Sequence, residues 1–275
     1  MTDYVSNISR RDPVKVADKA LKAAAQFWFL VAVIGQWIFV YYVTVFYGGS
    51  ALVGDLEAWS KAGPQGIIPG DTLGNLALAM HVLLAAIVMF GGPLQLIPAV
   101  RARFPTFHRW NGRIYIPAVF IASISGLYMI LTRGSAGAPV MHIGTSLGGI
   151  LIIVFGILAV RYAVARDIKT HRRWALRLFM VVNAVWFFRV GLMAWIMINQ
   201  GPVGMDMKTF TGPFLTFWAY GQYLLPLAVL ELYLRVQGKS AAIAKAAVAG
   251  LIFVMTIIMG VGVFAATMNM WLPKL

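Results

Sequence analysis

The chain has no cysteine. That excludes disulfides, thiolate metal sites, iron–sulfur clusters and thioether-linked haem. It is also poor in charge, with 12% charged residues against about a quarter in a soluble domain. Acid is scarcest: nine Asp and Glu stand against 23 Lys and Arg. A chain of 275 residues that is 60% hydrophobic cannot cover its apolar surface with polar groups in water, so the bilayer is its solvent. The net charge of +14 suggests nucleic acid as a partner. That reading fails, because the basic residues sit in short segments between apolar runs, where they set membrane orientation. The lipid bilayer is the expected partner and nucleic acid is not.

Apolar runs of spanning length fall at about 25–47, 74–99, 112–132, 141–165, 173–198, 213–235 and 246–269. They predict an all-α fold: a polytopic membrane protein with seven transmembrane helices in a single membrane domain, 1–275. Residues 1–24 read as a cytoplasmic tail, 25–47 as the first span and 48–73 as an external loop. Residues 74–177, continuing through the fifth span to 198, form a repeated core, and 213–269 hold the sixth and seventh spans. Arg10, Arg11, Lys15, Lys19 and Lys22 precede an apolar run too long for a signal peptide and without a convincing cleavage site, so the first span is expected to stay. Pro93, Pro98, Pro117 and Pro226 are read as kinks. The 48–73 segment holds Asp55, Glu57 and Asp71 against Lys61, and its Gly and Pro content predicts an ordered or looping cap.

Orientation follows from the basic residues. The tail carries five, 100–113 carries Arg101, Arg103, Arg109 and Arg113, and 161–177 carries Arg161, Arg166, Lys169, Arg172, Arg173 and Arg177. With Arg235, Lys239 and Lys245, eighteen lie on one side; Lys61, Arg133, Lys208 and Lys274 lie on the other. The excess puts the N-terminus in the cytoplasm and the C-terminus outside, in a bacterial inner membrane. Trp59, Trp110, Trp174, Trp195 and Trp271 fall near the expected interfaces, as an aromatic belt would.

The four histidines are not scattered. His81 opens a stretch that passes Arg101 and reaches His108-Arg109-Trp110-Asn111-Gly112-Arg113. His142 opens one that passes Arg161 and reaches His171-Arg172-Arg173-Trp174-Ala175-Leu176-Arg177. The intervals, 81 to 108 and 142 to 171, are 27 and 29 residues. This is the pattern of a tandem two-helix repeat that forms a central four-helix bundle about a pseudo-twofold axis along the membrane normal. The axis would face His81 to His142 near the outer side and His108 to His171 near the inner side. Facing imidazoles in a bundle are an axial ligand set for haem iron. At ~1.5 Å per residue, two such centres stand roughly 25–35 Å apart. Phe120, Trp186, Phe187 and Phe188 are candidates to shorten the path.

Gly144, Gly148, Gly149 and Gly156, with Ser123, Ser125 and Gly126, either leave room for a macrocycle or let helices pack closely. Arg189 lies within the fifth span with no expected carboxylate nearby, since Glu231, the one acid within a span, sits near the opposite end. A haem propionate, a quinone carbonyl or a lipid phosphate would satisfy Arg189; so would snorkelling or backbone carbonyls.

Two resemblances attach to these residues. The stretch from His81 to Arg177 resembles a bacterial family of predicted membrane proteins known only as a domain of unknown function. The resembling features are Gly92-Pro93-Leu94-Gln95, the His108-Arg109…Gly112-Arg113-Ile114-Tyr115 box and His171-Arg172-Arg173-Trp174. The second to fifth spans separately resemble the ascorbate-dependent transmembrane cytochromes b of the five-sixty-one type, in which four central helices each give one histidine to two haems b. That resemblance implies an outer haem on His81 and His142 and an inner haem on His108 and His171. It also implies a quinone, ascorbate-like or ferric electron partner.

Electron transfer across the bilayer is therefore the leading expectation, as an electron-transfer protein or oxidoreductase that binds two haems b, with a quinone as a compatible further cofactor. Arg109, Arg113, Arg172, Arg173 and Arg177 would attract an anionic redox partner or haem propionates, as Arg189 would within the membrane. No flavin or nicotinamide fingerprint is present, so the chain would relay electrons rather than originate hydride chemistry. The competing expectation is a non-redox seven-helix protein: a transporter, a receptor-like bundle or a lipid- or quinone-binding protein whose His/Arg boxes hold anionic headgroups.

Overall fold

Helix starts follow from local chemistry. Asp12 accepts a hydrogen bond from Val14 N at 2.9 Å and Pro13 takes the first helical position, so α1 begins there (Pro13–Val43). Asp71 caps α3 (Thr72–Leu96) through Gly74 N, and Asp167 caps α7 (Ile168–Val182) through Thr170 N. Proline opens α4 (Pro98–Arg103), α5 (Pro105–Arg133), α6 (Pro139–Val164) and α9 (Pro213–Val236). The short α2 (Gly49–Leu52), α8 (Ala184–Ile198) and α10 (Ala242–Ala266) complete the set. These elements come from a computed structural model, which describes residues 12–62, 66–134, 136–238 and 241–275. Arg10, Arg11 and Lys239, counted above, lie outside them.

All seven apolar runs are helical, but the boundaries and the span count differ from expectation. Among the described residues five helices are long and apolar enough to cross a bilayer: 13–52, 72–96, 105–133, 139–164 and 242–274. A sixth is obtained when α7 and α8, bent by 53°, count as one broken span. The protein is thus a polytopic membrane protein. Its fifth expected span is not straight, because Asn183 interrupts it and turns its Nδ2 back to Phe179 O at 2.7 Å. The sixth, α9, carries Gln222, Glu231 and several tyrosines, and falls short of that apolarity. Much of the expected tail is helix, since α1 starts at Pro13. The third span also starts early, which brings His108 inside α5. Pro93, Pro117 and Pro226 lie within helices as expected, whereas Pro98 starts one.

The packing orders the helices. Leu21 and Ala24 of α1 meet Val248, Ala249 and Ile252 of α10 at one end. At the other end Phe39 and Tyr42 meet Trp271, with ring centroids 5.2 and 6.5 Å apart. These two helices therefore run in the same direction. Tyr220 and Tyr223 of α9 donate to Val140 O and Gly144 O of α6, at 3.2 and 3.1 Å, so these two also run alike. Val88 of α3, Tyr115, Ala118 and Val119 of α5, Ala159 of α6 and Leu178 of α7 share one buried cluster. Trp59 and Trp271 are 3% and 1% exposed, packed against neighbouring side chains.

The glycines of α6 serve close packing. A Cβ on Gly144 would stand 3.1 Å from Ala219 O, and one on Gly149 3.0 Å from Leu127. Tyr223 covers Gly148 and Phe120 covers Gly156. Side chains thus occupy the room these glycines leave.

Candidate histidine pairs and an arginine cavity

His81 on α3 turns Nδ1 to Ala122 O of α5 at 2.7 Å. A carbonyl only accepts, so Nδ1 carries the proton and Nε2 is left as the basic nitrogen. The ring rests against Gly126, where a Cβ would come within 3.0 Å of it. His171 on α7 repeats the arrangement, with Nδ1 2.9 Å from Ala159 O of α6. Pinning Nδ1 on a carbonyl while presenting Nε2 is how proteins orient metal-binding imidazoles.

His108 and His171 each stand one turn into their helices, α5 and α7. They are within electrostatic reach of one another, with Arg101 also near His108. The Nδ1 of His108 is buried and has no hydrogen-bond partner. His108 is held through its backbone instead: Gln95 Nε2 donates to its carbonyl at 3.0 Å. Asn111 Nδ2 donates to Gly91 O at 2.9 Å. The last turns of α3, Gly91 to Gln95, and the His-Arg box therefore clamp the end of α3 to the start of α5, a role that the sequence did not reveal.

The outer histidines are less alike. His81 lines a cavity of about 150 Å³. His142, near the start of α6, lies beside Gly134 at the α5–α6 turn and does not line that cavity. Arg189 does, together with Tyr42, Tyr47 and Lys274. Periodicity gave no sign of these last three, which come from the far ends of α1 and α10.

The inner arginines remain at the surface. Arg109 donates to Thr106 Oγ1 at 3.3 Å, and Arg113 lies over the Trp110 ring at 5.0 Å. Arg172 and Arg173 are exposed, and Arg172 borders a second, mostly apolar cavity of about 250 Å³ between α1, α7, α8, α9 and α10. Arg177 is engaged: Nε and Nη2 meet Glu231 Oε1 and Oε2 at 2.7 and 3.0 Å, and its guanidinium lies 4.6 Å over the Trp174 ring.

For haem, the inner pair has fitting donor chemistry: one imidazole pinned by a carbonyl, and one with an orphaned buried nitrogen. Of the outer two, His81 is pinned through Nδ1 to a carbonyl as His171 is, and His142 lines a different part of the structure. No group of three or more His, Asp or Glu able to hold a metal occurs among the described residues. A bis-histidine site needs only two.

None of the curated proteins and none of the solved structures compared with the chain matches it. Residues 78–211, the stretch that carries all four histidines and Arg189, match the model of the family described as predicted membrane protein, DUF2306.

Proposed function

We propose that the chain relays electrons across the bilayer as a b-type cytochrome, with His108 and His171 ligating an inner haem and His81 and His142 an outer one. The observation that carries this reading is the inner pair: two imidazoles each one turn into its helix and within electrostatic reach, one with its Nδ1 pinned by Ala159 O. Bound haem supplies one-electron chemistry at neutral pH. The chain's own residues orient the imidazoles through the Ala122 and Ala159 carbonyls and keep the region between them dry with the shared apolar cluster. Arg109, Arg113, Arg172 and Arg173 give the inner face a positive field for an anionic redox partner. A quinone is the partner proposed within the membrane. Absorption spectra of detergent-purified protein, expressed with ample haem, test this. Sharp b-type bands after dithionite reduction are expected, and a colourless folded protein refutes the reading.

The non-redox alternative draws on the α6 glycines, whose space is filled by side chains, and on the apolar cavity beside Arg172, which suits an anionic amphiphile. A colourless protein would favour it.

Seven crossings are part of the proposal, with α9 as the sixth span and α7–α8 as a broken fifth. Support comes from the parallel course of α1 and α10, which requires an odd number of traversals. The tandem repeat corresponds to the pairs α3–α5 and α6–α7. In a bacterial inner membrane the basic ends lie in the cytoplasm. Reporters fused before α1 and after Leu275 should then read cytoplasmic and external respectively. Both on one side would mean an even number of spans.

A further inference from the structure

A guanidinium in apolar surroundings calls for a counter-anion, and the ion pairs among the described residues do not include Arg189. Those pairs join Arg133 to Asp71, Arg177 to Glu231 and Lys245 to Asp18. Arg189 donates from Nη1 to Val185 O at 3.1 Å and lies 5.6 Å over the Phe39 ring. Both are weak substitutes for a carboxylate.

The cavity it lines has the matching chemistry. Lys274 adds a second cation to the wall, and no Asp or Glu contributes. Tyr42 and Tyr47 stand within electrostatic reach of Arg189; the Tyr42 hydroxyl donates to that of Tyr47, which leaves the Tyr47 proton for a ligand. Two indoles of the wall, Trp186 and Trp271, have Nε1 groups buried without a partner. The rest is apolar, with Val82, Ala85 and Val119 among the lining residues. Two π-helical turns build the outer end: Thr44–Gly48 brings in Tyr47, and Thr267–Trp271 brings in Trp271. Such turns are uncommon and recur at functional sites. A volume of about 150 Å³ holds a single six-membered ring.

We infer that this cavity is a binding site for a small hydrophobic monocarboxylate, with its carboxylate on Arg189 and about one ring's worth of apolar body against Val82 and Ala85. The cations supply donors and positive charge, and with no Asp or Glu in the wall they favour an anionic acceptor over a neutral one. The apolar wall selects against strongly hydrated inorganic ions. This inference goes beyond the haem reading and competes with its outer site, since His81 lines the same cavity.

The probe is benzoate, with benzyl alcohol as a neutral control of the same size. Both are titrated into the detergent-purified full chain, with binding read by calorimetry and Tm. Benzoate is expected to raise Tm with concentration and to bind at least about ten-fold more tightly than benzyl alcohol. Arg189→Gln should lose at least about ten-fold in benzoate affinity, the range for a charged hydrogen bond. Ala85→Phe fills the cavity while leaving the guanidinium, and should abolish benzoate binding; it carries the test if Arg189→Gln does not fold. Equal binding by wild type and Arg189→Gln, or no binding by folded wild type, overturns the inference. So does benzoate that binds haem-free protein but is excluded by haem-loaded protein, which assigns the anion to a haem propionate. A colourless protein that binds benzoate through Arg189 would refute the haem reading and keep this one.

Discussion

If the proposed haem pair is present, His108→Ala and His171→Ala should each remove the inner haem and leave the outer one, so that the dithionite-reduced b-type band falls to about half in either variant. Combining the two inner substitutions removes no more than either alone, because a bis-histidine centre fails when one axial ligand goes. His81→Ala or His142→Ala removes the other half, and His108→Ala with His81→Ala leaves the protein colourless. A structural role for the histidines predicts a different pattern. Each variant would then change Tm and leave the haem-to-protein ratio unchanged. Full haem content in both His108→Ala and His171→Ala sinks the inner site. The inner pair carries the sharper prediction because the buried Nδ1 of His108 has no partner to lose. Its truncation forfeits no Nδ1 hydrogen bond within the protein, and Tm read beside the spectrum separates a lost ligand from unfolding.

The helices were legible because a backbone in lipid has to satisfy its own polar groups, and apolar runs of spanning length have no other way to do so. What escaped the sequence is what depends on pairing across distance. Arg177 reads as one more member of a basic box, yet Glu231 takes it in a two-pronged pair from 54 positions away. Asn183 carries no proline or glycine signal, and the break it makes arises from one side chain bonding its own helix. The α6 glycines fit both a macrocycle and close helix packing; the side chains of Phe120, Leu127, Ala219 and Tyr223 decide for packing. The four histidines were visible through their spacing. The depth of each was not, because that depends on where α5 and α7 begin: Pro105 and the Asp167 cap put His108 and His171 at the same turn. Tyr42, Tyr47 and Trp271 meet only because α1 and α10 run side by side in one direction, which no local pattern encodes.

Arg133→Ala should be the most destabilising single substitution at the outer end. The side chain is 4% exposed, although sequence assigns it to an outer loop. All three nitrogens of its fork are engaged: Nε donates to Asp71 Oδ2 at 2.8 Å, Nη2 to Asn75 Oδ1 at 2.7 Å, and Nη1 to Gly66 O at 3.3 Å. One guanidinium thus ties the end of α5 to the cap and first turn of α3 and to the segment before it. Asn75 extends the clamp through paired bonds with Ile68, at 3.0 and 2.8 Å. Gly74 has no room for a Cβ beside Arg133 and Asp71. Truncation leaves acceptors without donors in a part-buried cluster, at a cost on the order of 2–4 kcal/mol. Tm in detergent should fall by roughly 5–10 °C. Arg133→Lys recovers little of this, since an ammonium cannot reach three acceptors in a plane. The acid dependence follows from Asp71. Gly74 N–H, and then Arg133, hold its carboxyl below the usual carboxylate range. A depressed folded-state value stabilises above the unfolded value of about 4 and is lost as pH falls through the lowered one. Wild type therefore loses stability on acidification below about pH 4, and Arg133→Ala, with the arginine's share already gone, loses less over the same window. A Tm unchanged by Arg133→Ala at pH 7 would mean that the cap is held by the packing of Trp59 against Tyr47, whose ring centroids lie 5.4 Å apart, and not by the arginine.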